Sequence, residues 1–131
     1  MIGLDTNVLV RYFAQDDAAQ AKKATALVES LTADSPGYVT QVALVEVVWV
    51  LGRAYGASRE EITQVIETLL RTKELVVENA ETVWKALRLY AGSSADFADC
   101  LIERVCHDAQ CDYTVTFDTK AARLDGMRLM K

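Results

Sequence analysis

Hydrophobic and polar positions divide the chain into short apolar runs alternating with longer stretches of helical periodicity, the mark of an α/β domain with a largely parallel sheet. Ile2 to Leu4 reads as a strand, and a helix begins near Thr6 with Val8, Leu9, Tyr12 and Phe13 along one face. Asp16 or Asp17 caps a second helix to about Thr32. Ser35-Pro36-Gly37 is a turn, Tyr38 to Thr40 a short strand, and Gln41 to about Tyr55 a buried helix that Gly56 stops. Ser58 and Glu61 have capping-box spacing and open a helix to about Arg71. Leu75 to Val77 is a strand, Asn79 caps a helix to about Ala91, and Gly92-Ser93-Ser94 leads into a helix from Ala95 to His107. Tyr113 to Phe117 is the last full strand, with a short helix at Lys120 to Leu124 and an edge strand at Met127 to Met130. There is no linker or repeat, so residues 1–131 are expected to form a single domain, one large enough to bury about two-thirds of its extended-chain surface.

The polar residues that interrupt this pattern are mostly acids. Glu46 sits inside Q-V-A-L-V-E-V-V-W-V-L, from Gln41 to Leu51. An ionised carboxylate left unpaired in such surroundings costs several kcal/mol, so a buried Glu46 needs a neutral form, an ion pair or a metal. Asp5 ends the first apolar run, Asp118 ends the run Tyr113 to Phe117, and Asp96 and Asp99 share one helix face with Phe97, Leu101 and Val105 turned to the core. In open α/β sheets, ligands bind beyond the carboxyl ends of the strands, where Asp5 and Asp118 both lie. Carboxylates pointed at one place repel unless a hard divalent cation holds them, as Mg²⁺ or Mn²⁺ does.

Each acid also has a plain structural role to weigh against this one. Asp5 and Asp118 stand where helix caps stand, and Asp96 falls in the first turn of its helix, where the macrodipole favours any acid. Glu46 has Arg11 and Arg53 as candidate partners. Trp49, Trp84 and the tyrosines read as packing residues rather than stacking platforms, and His107 as a helix-end residue.

Composition narrows the alternatives. The net charge of −5 speaks at first against a nucleic-acid partner. Without Asp5, Glu46, Asp96, Asp99 and Asp118, however, 14 acids remain against 14 Lys plus Arg, so the rest of the protein is neutral. Cys100, Cys106 and Cys111 are odd in number and lack a CxxC pair, as free thiols in a reducing cytoplasm would be. No run approaches the roughly 20 apolar residues that a membrane helix needs. G-x-S-x-G, G-x-x-x-x-G-K-[ST] and G-x-G-x-x-G are all missing, against a serine triad and the common nucleotide cradles.

The blocks I-G-L-D-T-N-V-L-V-R-Y, V-A-L-V-E-V-V-W-V-L, A-D-F-A-D-C-L-I and T-V-T-F-D-T-K resemble, in order and over residues 1 to about 125, the signature blocks of PIN-domain ribonucleases. The nearest likeness is to the VapC toxins of bacterial toxin–antitoxin pairs. The resemblance implies a three-layer α/β/α sandwich with a central, mostly parallel sheet, dependence on Mg²⁺ or Mn²⁺, and an RNA substrate such as a tRNA or rRNA loop. It also implies a VapB-like antitoxin and a homodimer, for which the apolar faces Thr63 to Leu70 and Val83 to Leu89 are candidates, with burial in the core as the equal alternative for both. Asp5, Glu46, Asp99 and Asp118 match the four acids of the pattern, and Asp96 an extra acid one turn earlier. Asn7 and Thr116 match small polar positions expected to orient carboxylates. Metal held by Asp5, Asp99 and Asp118, with Asp96 as a further ligand, would bind the scissile phosphate and activate a water. Glu46, its basicity raised by burial, would take the proton or hold a second ion.

Two rivals use the same acids. A phosphatase of the haloacid-dehalogenase type also places an Asp after its first strand, but Asn7 stands where that motif needs a second Asp. A non-catalytic module with an acidic docking pocket is the other. A receiver domain of that kind would begin with an acidic pair before a strand, and none is present.

Overall fold

Three short parallel strands, β1 (Ile2–Gly3), β2 (Gly37–Val39) and β3 (Leu75–Val77), pair in the order β1-β2-β3. They belong to a computed structural model that describes every residue from Met1 to Lys131. The chain divides into two units, Met1–Glu78 and Asn79–Lys131.

In the first unit the strands alternate with α1 (Thr6–Ala14), α2 (Ala18–Ser30), α3 (Gln41–Ala54) and α4 (Arg59–Arg71). The caps explain where these helices begin. Asp17 accepts from the backbone N–H of Gln20, and Thr40 from that of Ala43. Ser58 and Glu61 complete a reciprocal capping box, as their spacing predicts. Tyr55 follows the last residue of α3, and Gly56 turns the chain away at φ +64°, a conformation that favours glycine. β2 begins one residue earlier than the side-chain pattern predicts because Gly37 pairs with both Ile2 and Leu75. A Cβ at Gly37 would stand 2.9 Å from the Cδ1 atoms of Leu4 and Leu31, so the leucines close over the bare backbone. Leu9, Val39, Leu44, Val47, Ile66 and Leu69 form the core of this unit.

The second unit contains α5 (Ala80–Ala91), α6 (Phe97–Asp108), β4 (Thr114–Thr116), a 3-10 turn at Ala121–Arg123, and β5 (Met127–Leu129), which pairs parallel to β4. α5 packs on α6, with Val83, Ala86, Leu87, Tyr90, Phe97, Cys100 and Leu101 buried and the Tyr90 and Phe97 rings edge to face at 5.8 Å. Glu103, a residue the hydrophobic pattern passes over, is also buried here, its carboxylate in a two-pronged bond with Arg104 at 2.5 and 2.8 Å.

Several sequence expectations are corrected. Asn79 occupies the cap position of α5 with φ 48° and no side-chain capping bond, so it serves as a left-handed turn residue. α6 starts at Phe97, which moves Asp96 from the first turn to the cap position. Trp49 and Val105 are exposed rather than packed. The proposed dimer faces are largely consumed by the core, since Ile66, Leu69, Val83, Ala86 and Leu87 point inward. No helix is long and apolar enough to cross a membrane, and the three cysteines are free thiols.

Candidate active site

Asp5 directly follows the buried Leu4 after β1, so the parallel strand delivers it to the N-terminus of α1. It stands at the cap position with extended backbone, and its carbonyl accepts from Val8 and Leu9. Its carboxylate makes no capping bond and is exposed. The plain structural role of a helix cap therefore falls to the backbone alone, leaving the acid free for a ligand.

Glu46 lies in the second turn of α3, but on the outer side of the helix. α3 buries Ala43, Leu44, Val47 and Leu51, whereas Val42, Glu46 and Trp49, spaced four and three residues apart, are exposed. The expected burial of Glu46 is thus wrong, and with it the expected source of its basicity. The apolar letters around Glu46 say that α3 is hydrophobic nearly all round, and packing decides which third of it faces water. What Glu46 gains is a positioning contact that the sequence reading missed: the Thr6 hydroxyl, largely buried, donates to Glu46 Oε1 at 3.3 Å. The signal for Thr6 was its place between Asp5 and Asn7 in D-T-N.

In the second unit three carboxylates converge. One oxygen from each of Asp96, Asp99 and Asp118 lies within 4.8 Å of the others. Asp96 caps α6 in position only, with no side-chain bond, and Asp99 follows in the first turn, so both meet the positive end of the helix dipole. Asp118 arrives from the loop after β4, where its Oδ1 accepts from the N–H groups of Lys120 at 2.8 Å and Ala121 at 3.0 Å. That turn holds the third carboxylate in place while Oδ2 stays available. Thr116, expected to orient a carboxylate, instead accepts from the backbone N–H of Asp118 at 3.0 Å and so fixes the main chain beneath the acid. Asp96 and Asp118 also line a cleft of about 400 Å³ with Phe117, Thr119 and Lys120.

Lys120 lines the same cleft as Asp96 and Asp118 but forms no ion pair with the trio. None of the three acids forms a salt bridge. Partial burial of Asp99, and after it the charges of Asp118 and Asp96, raise its carboxyl above the ordinary carboxylate range. The donors are all hard oxygens, as Mg²⁺ or Mn²⁺ requires and as zinc or copper sites do not.

Among the expected site residues, then, Asp96, Asp99 and Asp118 are brought together in one unit, and Glu46 is held by the neighbour of Asp5 in the other. Asn7 is exposed and lines a cleft between α1 and α2 instead of orienting a carboxylate.

A family model for the PIN domain matches residues 2–127, spanning both units and every one of these acids. The chain belongs to the PIN domain family. It is also similar to a protein of Aquifex aeolicus (strain VF5) named VapC ribonuclease, with 28% identity over 98 residues that cover 75% of this chain and 73% of that protein.

Proposed function

We propose that this PIN protein is a divalent-metal-dependent endoribonuclease of the VapC type, the toxin of a toxin–antitoxin pair, working as one domain in the cytoplasm. The observation that carries the metal-dependent nuclease reading is the Asp96, Asp99 and Asp118 trio, three unpaired carboxylates within 4.8 Å. Mutual repulsion at that spacing is relieved by a bound cation. Similarity to a protein named VapC ribonuclease supplies the toxin assignment and its implied VapB-like antitoxin.

In this reading Asp99 and Asp118 would hold Mg²⁺ or Mn²⁺, with Asp96 as a further ligand, and Asp5 enters from its place at the end of β1. A bound divalent cation supplies positive charge to the scissile phosphate and the leaving oxygen, and a more acidic water. Glu46, oriented by Thr6, accepts a proton from the attacking water, while the carboxylates need no nucleophilic role. The Thr116 hydroxyl and the turn at Lys120 and Ala121 keep Asp118 in place before substrate arrives, so little reorganisation remains at the moment of reaction.

A homodimer and an antitoxin that inserts an Arg among the carboxylates belong to the same reading, since a guanidinium matches a carboxylate in geometry as well as charge. The first test is thermal. Mn²⁺ at 100 times its Kd should stabilise the native chain by about 2.7 kcal/mol, and the increase should shrink in Asp99→Asn. An unchanged melting curve in millimolar Mn²⁺ would remove the main support.

A further inference from the structure

The cleft between α1 and α2, about 430 Å³, falls within the size range of small-ligand sites and has a lining unlike that of the acidic site. Its polar residues are Asn7 and Arg11 from α1 and Gln20 and Lys23 from α2, over an apolar floor that includes Val8 and Leu27. No carboxylate is among the lining residues, although the chain as a whole carries a net charge of −5.

Two of these side chains are held in position. Arg11 donates from Nε to Gln20 Oε1 at 2.6 Å, and from Nη1 to Asp16 at 3.2 Å and the Tyr55 hydroxyl at 3.1 Å. The Gln20 oxygen is occupied by Arg11, which leaves its amide nitrogen as a donor. Lys23 is exposed and enters no salt bridge. A cleft with the unpaired cation Lys23, an arginine already paired with Asp16, and apolar Val8 and Leu27 suits a ligand that carries both an anionic group and an apolar part. A nucleotide has that chemistry, with its phosphate for Lys23 and its sugar and base for the floor.

We infer that this cleft holds a nucleotide of the bound RNA strand. Asn7, two residues beyond Asp5 in the chain, is one of its lining residues. The inference rests on the ribonuclease reading given above and adds to it the surface that binds the substrate. It also accounts for how an acidic protein engages a polyanion, since Lys23 stands in a cleft whose lining holds no carboxylate.

The test uses the full chain in EDTA, so that RNA is bound and not cut, with a fluorescein-labelled single-stranded 12-mer as the probe and anisotropy read across a NaCl series. Lys23→Gln should weaken binding and reduce the slope of log Kd against log salt by about 0.7, the value of one lost single-strand phosphate contact. Lys23→Arg should restore the slope, and Lys73→Gln, an exposed cation outside the cleft, should leave it unchanged. A wild-type slope in Lys23→Gln would overturn the cleft assignment and leave the ribonuclease reading standing. Loss of binding to a poly-glutamate peptide with RNA binding unaltered would overturn it in favour of a protein-docking cleft. If the wild-type chain neither binds RNA in EDTA nor cuts it in Mn²⁺, the ribonuclease reading fails and this inference fails with it.

Discussion

The hydroxyl of Thr6 donates to Glu46 Oε1 at 3.3 Å, joining the first turn of α1 to the second turn of α3. The bond fixes an exposed glutamate that packing alone leaves free to rotate. Thr6→Val keeps the shape and removes the donor, and it should lower the rate of RNA cleavage about 10-fold, the usual cost of losing a supporting hydrogen bond behind a catalytic carboxylate. Thr6→Ser should recover most of the rate, which a purely packing role for the methyl group would not allow. Cleavage rates at saturating RNA for the three proteins decide the matter.

Asp99 offers a prediction in the opposite direction. Its carboxyl is raised above the ordinary value by burial and by Asp118 and Asp96, so the native state disfavours the ionised form. The resulting cost is absent at pH below the unfolded carboxylate range and grows as the pH rises through it. Asp99→Asn removes that cost. In EDTA the variant should melt above wild type at neutral pH, and the difference should fade as the pH is lowered into the carboxylate range.

Gly126 tests the packing of the buried ion pair. A Cβ built there collides with the Glu103 carboxylate, which is held by the Arg104 fork and is 2% exposed. Gly126→Ala should therefore destabilise the chain by about 1–3 kcal/mol, as overpacking does in well-filled interiors. Urea denaturation of the two proteins at equal pH measures it.

The order of elements and most caps could be read from the letters because they depend on local chemistry. Ser58 and Glu61 satisfy each other's backbone within one turn, and Gly56 ends a helix by its own φ. The acids after β1 and β4 could be placed for the same reason, since strand ends and helix starts fix them. The exposure of Glu46 and Trp49 was not legible, because a helix apolar on nearly every side carries no mark of which face its neighbours will cover. Glu103 shows the reverse case. It is buried among apolar residues by an Arg one position away, and adjacent helical positions ordinarily point apart. Thr6 was hidden by its ordinariness, since its partner lies 40 residues further along the chain.

Expression of the chain alone in a bacterial host should arrest growth, and Asp5→Asn at the same soluble level should not. Asn keeps the shape of Asp5, whose carboxylate makes no capping bond, so the variant should fold normally while losing the charge. Equal growth of the two strains would count against the toxin assignment and leave a milder RNA-processing enzyme.

The most direct measurement is cleavage of RNA by the purified chain as Mn²⁺ is titrated in, for wild type and Asp99→Asn side by side. Wild type should cut only when the ion is present and stop on addition of EDTA, and Asp99→Asn should be reduced by at least about 100-fold at saturating metal, comparable to the loss of other electrostatic groups at a reacting centre. Cutting that persists in EDTA, or that survives intact in Asp99→Asn, would contradict a metal-dependent nuclease centred on Asp96, Asp99 and Asp118.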